Sequence, residues 1–297
     1  MRIDGRTKLA GVVGWPIDRS LSPAMHNAAY EALELNWVYL PLPVSDQRGL
    51  VRLVDAVRSL PFVGFNVTMP YKQAILPLCD EVAMFAQMAD AVNTVHCVDG
   101  TLVGYNTDGR GLIDALKSEV GFDPAGKKAV VIGAGGAAGA AVVGLIVGKA
   151  ASLTLVNRSV ERAEAIVERM RPYLRGAAAA ALPLDRSARE AVESADLVIN
   201  ATPVGMVDGD PSPVPPEWLH EGQVVCDMIY QRLETDLMRV ARDAGATVMG
   251  GLPMLIEQGA LAIEIWSGAS QLKVPRDVMR RAAEDALSRP VATESER

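Results

Sequence analysis

Near the middle of the chain the apolar run Ala129-Val130-Val131-Ile132 passes straight into Gly133-Ala134-Gly135-Gly136-Ala137, and small residues continue to Val147. That order predicts a buried strand, a glycine turn and a helix over Ala137–Val147. The first glycine permits the tight turn and the second lets backbone approach a pyrophosphate. The free N–H groups of the helix N-terminus then hold the anion. This is how a doubly wound, dinucleotide-binding α/β domain opens. Such a turn usually comes early. Here a whole domain's worth of chain precedes it, so the front part is expected to hold the substrate.

The end of the next strand reads on the cofactor. Ser152–Val156 is apolar enough for a second strand, and Asn157-Arg158-Ser159 follows it. A free ribose 2′-hydroxyl calls for Asp or Glu at this point, whereas a 2′-phosphate calls for a cation and hydrogen-bond donors. Arg158 offers a planar fork of donors suited to phosphate, with Asn157 and Ser159 beside it. Arg162 lies one helical turn further on. The set predicts NADP rather than NAD, against the plain alternative that Arg158 is a solvated turn residue.

At 297 residues the chain is long enough for two domains. A net charge of −7 argues against general nucleic-acid affinity, which needs a basic face. Cys79, Cys97 and Cys226 form no CxxC pair and read as buried, reduced thiols of a cytoplasmic protein. No apolar run is long enough to span a bilayer, and no metal site is expected. His26, His96 and His220 are scattered without an evident partner and read as structural.

Strand and helix patterns alternate in the first half. Leu9–Val13, Trp37–Leu42 and Val63–Val67 read as strands. Ser22-Pro23 opens a helix to about Leu33, with Ser at the N-cap and Pro at the first helical position. Leu50–Leu60 is amphipathic. Val92–Val98 and Thr101–Tyr105 flank Asp99-Gly100, a hairpin signal. Asn106-Thr107-Asp108 caps a helix to about Glu119, and Gly121–Gly126 reads as the linker. Beyond it, Leu197–Asn200, Val224–Asp227 and Thr247–Met249 read as strands. Alanine-rich Gly176–Leu182 has helical propensity but the position of a strand, and strand is the reading. Asp210–Pro216 is a proline-rich loop, Glu257–Ser267 a late helix, and the tail after Pro290 is expected to be disordered.

Ligands of open α/β folds gather at the carboxyl ends of strands. Lys72 follows one such end, after Asn66-Val67-Thr68-Met69-Pro70-Tyr71, and Asp108 follows another, after Thr101–Tyr105. An Asp beside a Lys orients the ammonium and favours its protonated form. Taken separately, each has a plain reading as a solvated lysine or a helix cap.

The motifs together resemble the shikimate dehydrogenase family, from nearly the first strand to the late helix. They are Gly14-Trp15-Pro16-Ile17-Asp18-Arg19-Ser20-Leu21-Ser22-Pro23 with His26-Asn27, Asn66–Lys72, Ala91-Val92-Asn93-Thr94 and Gly104-Tyr105-Asn106-Thr107-Asp108. The second half adds Gly133–Ala137, Asn157-Arg158-Ser159 and Asn200–Met206. Asp227-Met228-Ile229-Tyr230 and Gly250–Leu255 with Gln258-Gly259-Ala260 complete the series. All stand in the family's order.

The resemblance implies an α/β fold of two domains. An N-terminal α/β substrate domain (1–108 with 250–297) would join a Rossmann-like, doubly wound parallel-sheet NADP domain (109–249), the two hinging closed over ligand. It implies reversible, NADPH-dependent reduction of 3-dehydroshikimate to shikimate. By similarity Ser20, Ser22 and Tyr230 hold the carboxylate, and Thr68, Asn93, Asp108 and Gln258 contact the ring hydroxyls. Lys72 is the acid–base group, paired with Asp108. Gly133, Ala134, Gly135, Gly136, Ala137, Asn157, Arg158, Ser159 and Arg162 hold the cofactor phosphates, and Thr202, Met228 and Gly251 line the nicotinamide end.

Three residues depart from the family's habit. Arg19 stands where His is common, Asp90 where Gly is, and Arg232 where Pro is; none replaces a residue with a direct chemical role, and Arg19 and Asp90 read as surface-loop residues. Two rivals are a quinate/shikimate dehydrogenase that uses NAD and a non-catalytic NADP-binding sensor. A monomer or homodimer is expected.

Overall fold

The computed structural model describes residues 3–269 and 272–289. The expected disorder after Pro290 falls outside the described residues. By backbone packing the chain divides into two units. One takes the chain up to Glu81, Thr94–Val103 and the part from Gly259; the other takes Val82–Asn93 and Gly104–Gln258.

In the first unit, β1 (Lys8–Gly14), α1 (Ser22–Ala32), β2 (Trp37–Pro43), α2 (Gln47–Val57) and β3 (Phe62–Val67) alternate. β1 pairs in parallel with both β2 and β3. The sheet continues through β4 (Glu81–Val82), β5 (Thr94–Val98) and β6 (Thr101–Tyr105) in the order β2-β1-β3-β5-β6-β4, with β5 antiparallel to β3. Asp99 and Gly100 both have positive φ, 49° and 81°, the backbone that a two-residue hairpin turn between twisted strands needs.

In this unit the starts of α1 and α2 differ from expectation. Leu21, not Ser22, is the N-cap of α1, and no side chain caps it. Ser22 is the first helical residue, and the Ser20 hydroxyl accepts its N–H at 3.3 Å. α2 starts earlier than Leu50 and ends at Val57, because the Asp46 carboxylate caps it by accepting the N–H of Gly49 at 2.7 Å.

The second unit contains α3 (Met84–Ala89), α4 (Asp108–Val120), β7 (Lys128–Ile132), α5 (Gly136–Val147), β8 (Ser152–Asn157), α6 (Val160–Met170) and β9 (Ala178–Pro183). There follow α7 (Arg189–Glu193), β10 (Leu197–Asn200), β11 (Val224–Asp227), α8 (Asp236–Asp243), β12 (Thr247–Met249) and the start of α9 (Gly251–Ser267). The sheet runs β12-β11-β10-β7-β8-β9, with every pair parallel. Counted from β7, that is the doubly wound order 3-2-1-4-5-6, whose ligand crevice opens where β7 and β10 diverge. The alanine-rich segment is strand β9: its backbone groups pair along β8 from Ser152↔Ala178 to Asn157↔Pro183, which outweighs helical propensity.

β5 is shorter than the expected Val92–Val98, leaving Val92 and Asn93 outside the sheet. α9 is longer than the expected Glu257–Ser267. Pro253 falls in its first turn, where a missing N–H has no helical acceptor to lose. The last helix, α10 (Arg276–Leu287), packs on α1. Glycines set how closely α4 and α5 cross. A Cβ on Gly144 would stand 2.3 Å from the Gly109 carbonyl oxygen, and one on Gly109 2.5 Å from that of Ala140.

Candidate active site

The glycine turn follows β7 at the point where the strand order reverses. Register places Ile132 beside Asn200, and Gly133 N–H donates to the Val156 carbonyl at 2.8 Å. Gly133 has φ +116°, and a Cβ there would press on Ala201, so only glycine turns the chain here. Gly135 and Gly136 face open space: a Cβ on either would meet nothing within 4 Å. No side chain caps α5, whose N-cap is Gly135. The early N–H groups of α5 therefore point where a phosphate can approach, and the turn fits a nucleotide.

At the end of β8 the Asn157 amide donates to the Ser159 carbonyl at 2.9 Å, closing the turn that presents Arg158. Arg158, Ser159 and Arg162 are exposed. No acidic residue occupies the strand end, so the fit is to a 2′-phosphate rather than a bare ribose.

The residues expected at the nicotinamide end, Thr202, Met228 and Gly251, lie beyond β10, β11 and β12. Thr202 is held by its own N–H and hydroxyl, which donate to Asn200 Oδ1 at 3.0 and 2.7 Å. The Asn200 amide donates in turn to Asp227 at 3.1 Å, and the Thr235 hydroxyl to the other oxygen of Asp227 at 2.6 Å. Asp227 is fully buried, and burial raises its carboxyl above the usual range. Met228 follows directly. A Cβ on Gly251 would stand 2.3 Å from the Met228 carbonyl oxygen, so glycine alone admits the start of α9 here. Asn200, Asp227 and Thr235 are not among the expected site residues. For Asn200 and Asp227 the signal is a polar residue ending an apolar strand, Leu197–Asn200 and Val224–Asp227, and Thr235 is the N-cap of α8.

Asn93, Thr107, Asp108 and Gln258 form one buried polar cluster in this unit, each 8% exposed or less. The Asn93 amide nitrogen lies 2.7 Å from Asp108 Oδ1, 2.9 Å from Thr107 Oγ1 and 3.3 Å from Gln258 Oε1. Asn93 Oδ1 accepts the Thr107 N–H at 2.8 Å. Gln258 reaches this position because α4 carries Gly111, where a Cβ would stand 2.8 Å from the Gln258 backbone nitrogen. Asp108 is the first residue of α4 rather than its cap. Tyr230 belongs here too: burial first, and then the Asp108 carboxylate, raise its phenol above the ordinary value.

Ser20, Ser22, Thr68 and Lys72 lie in the first unit, beyond the carboxyl ends of β1 and β3. Those ends are bound edge to edge, Thr68 N–H donating to Val13 at 2.8 Å and Trp15 N–H to Met69 at 3.0 Å. A Cβ on Gly14 would stand 2.3 Å from Thr68 Cγ2. Ser22 is buried, and Lys72 half-buried. Below them, His26 stacks on Tyr39 at 4.1 Å, and its Nδ1–H donates to the Ser22 carbonyl at 2.9 Å. The Tyr39 hydroxyl donates to Asn66 at 2.7 Å. His26 thus supports the serine loop from beneath and has the partner the sequence did not reveal.

Among the three departures, Arg19 is exposed. Arg232 fastens the 205–208 loop, donating to the Val207 carbonyl at 2.8 Å and pairing with Asp208 at 2.8 Å. Asp90 has φ +53° at the end of α3. The thiols differ in burial: Cys226 is buried, whereas Cys79 and Cys97 are only partly so. Among the described residues no group of three or more His, Cys, Asp or Glu is placed to hold a metal, and no helix is long and apolar enough to cross a membrane.

Family models match along the chain: the shikimate dehydrogenase substrate binding domain at residues 12–95, shikimate/quinate 5-dehydrogenase at 115–205, and the shikimate 5′-dehydrogenase C-terminal domain at 251–284. A shikimate dehydrogenase (NADP(+)) of Methanopyrus kandleri is 42% identical over 288 residues, covering 96% of this chain and 98% of its own. The chain belongs to the shikimate dehydrogenase family. Solved structures agree with this family membership. A shikimate dehydrogenase in complex with NADP+ superposes with a TM-score of 0.88 at 38% identity, covering 97% of this chain and 98% of its own. Shikimate 5-dehydrogenase of Thermus thermophilus, in complex with NADP(H) and shikimate, gives 0.83 at 38% identity over 94% of this chain and 100% of its own. Quinate dehydrogenase of Corynebacterium glutamicum, in complex with NAD, gives 0.85 at 31% over 94% and 99%.

Proposed function

We infer that this protein is an NADP-dependent oxidoreductase that reversibly reduces 3-dehydroshikimate to shikimate. The observation that carries the reading is the buried Asn93–Asp108–Gln258 cluster, an amide–carboxylate–amide set able to satisfy hydroxyls that both donate and accept. NADPH, when bound, supplies the hydride. The ammonium of Lys72 gives its proton to the oxygen of the ketone as the carbon is reduced, and takes it back in the reverse direction. We assign Asp108 as the partner of that ammonium, and Thr68, Asn93, Asp108 and Gln258 to the ring hydroxyls. Ser20, Ser22 and Tyr230 donate hydroxyl hydrogens to the carboxylate.

On the cofactor side, Gly133–Ala137 take the diphosphate on backbone N–H groups. Asn157, Arg158, Ser159 and Arg162 take the 2′-phosphate. Thr202, Met228 and Gly251 shape the nicotinamide end. Closure over ligand would keep water from the reacting carbon. For function we assign 1–108 with 250–297 to the substrate and 109–249 to NADP. The net charge of −7 supports small-molecule partners over nucleic acid, and the reading is of a cytoplasmic monomer or homodimer.

The test is turnover of 3-dehydroshikimate with NADPH, followed by loss of cofactor absorbance, alongside quinate and NAD+. Efficient turnover of shikimate with NADP+ is expected. Comparable efficiency with NADH defeats the cofactor assignment, and better turnover of quinate defeats the substrate assignment. The family model shared by shikimate and quinate enzymes keeps the quinate reading as the second one, and the absence of an acid at the end of β8 speaks against its NAD half.

A further inference from the structure

Asn93 is reached by a short, buried path from the end of α3, and the guanidinium of Arg169 grips that end. Arg169 sits in the last turn of α6. Its Nε donates to the Met88 carbonyl at 3.1 Å, its Nη2 to the Ala89 carbonyl at 3.4 Å, and its Nη1 lies 3.7 Å from the Asp90 carboxylate. All three nitrogens are committed to three consecutive residues. Met88 and Ala89 are the last residues of α3, where carbonyls have lost their helical donors and the helix dipole favours a cation.

The chain between this grip and Asn93 has little room to move. Ala91 and Val92 are fully buried and Asn93 nearly so. Ala91 N–H donates to Ala86 at 3.1 Å and Asp90 N–H to Gln87 at 3.1 Å, the paired bonds that close a helix through one left-handed residue. That residue is Asp90, at φ +53°, a conformation glycine adopts freely and other residues resist. The contact is also close from a third side: a Cβ on Gly139 of α5 would stand 3.2 Å from the Ala89 carbonyl oxygen and 3.5 Å from Arg169 Nη2.

We propose that Arg169 is a positioning residue: it holds Asp90 in its left-handed turn and so fixes where Asn93 presents its amide to Asp108 and to substrate. The guanidinium supplies from α6 the conformational bias that a glycine at position 90 would supply by itself. The proposal rests on the reading of Asn93 as a substrate contact.

Four variants are assayed with shikimate and with NADP+: Arg169→Met, Arg169→Lys, Asp90→Gly combined with Arg169→Met, and Asn93→Ala. Arg169→Met should raise KM for shikimate about three- to thirtyfold and leave KM for NADP+ within about twofold. Arg169→Lys should lie between, and Asp90→Gly should restore most of the loss in Arg169→Met. Unchanged shikimate kinetics in Arg169→Met, with Asn93→Ala impaired, overturns the proposal. So does an equal loss toward both ligands that Asp90→Gly fails to restore, since that marks a general loss of folding. Unchanged shikimate KM in Asn93→Ala overturns the underlying reading of Asn93 instead.

Discussion

The side-chain amide of Asn93 donates to the carboxylate of Asp108 at 2.7 Å, with both groups all but removed from solvent. The bond sets which face of Asp108 is left for other partners. Asn93→Asp would replace the donor by a second carboxylate at the same distance. The variant should lose about 1–3 kcal/mol of stability, the cost of leaving a buried partner unsatisfied, and its KM for shikimate should rise. Denaturant unfolding and steady-state kinetics check both parts; an unchanged KM removes Asn93 from the substrate site.

Lys72→Ala should lower turnover by about 10²–10⁴-fold, the usual contribution of a positioned acid–base group. NADP+ affinity, measured by fluorescence titration, should stay close to that of the parent. Turnover equal to the parent's would take Lys72 out of the mechanism.

Arg158→Ala should weaken NADP+ far more than NAD+. A hydrogen bond to a charged group contributes about 1.5–3 kcal/mol, so KM for NADP+ should rise roughly ten- to a hundredfold while KM for NAD+ hardly moves. Equal effects on both cofactors would place Arg158 away from the 2′-phosphate.

His26 makes stability depend on pH. Burial pushes its imidazole down from the ordinary 6.5 to about 4. On acidification the unfolded chain therefore takes the proton first. The stability held by keeping the ring neutral is complete above pH 6.5 and is lost as pH falls through about 4. The upper bound is about 3 kcal/mol. His26→Asn keeps a donor toward the Ser22 carbonyl and cannot titrate, so its unfolding free energy should vary less over that window. An unaltered pH dependence in the variant would put the effect elsewhere.

How far the chain could be read in advance differs from element to element. The glycine turn after Ala129–Ile132 and the polar end of β8 were legible because local backbone geometry and local chemistry demand those residue types. The alanine-rich β9 was legible only by its position, since its propensity points to a helix. The start of α9 was hidden: Gly250-Gly251 and Pro253 look like loop until the first turn is seen to need no N–H from Pro253.

The sequence by itself determined the two α/β halves, the nucleotide turn and the residue types of the site, because strand period, turn chemistry and charge are properties of neighbours along the chain. Only the tertiary structure decided that Asn93, Thr107, Asp108 and Gln258 share one buried cluster, that Asn200 and Asp227 brace Thr202 and Met228, and that Arg169 grips the end of α3. Those relationships join residues up to 165 positions apart. Hydrogen bonds of that span depend on how helices and strands are brought together, and glycines such as Gly111 and Gly251 permit the close approaches that make them.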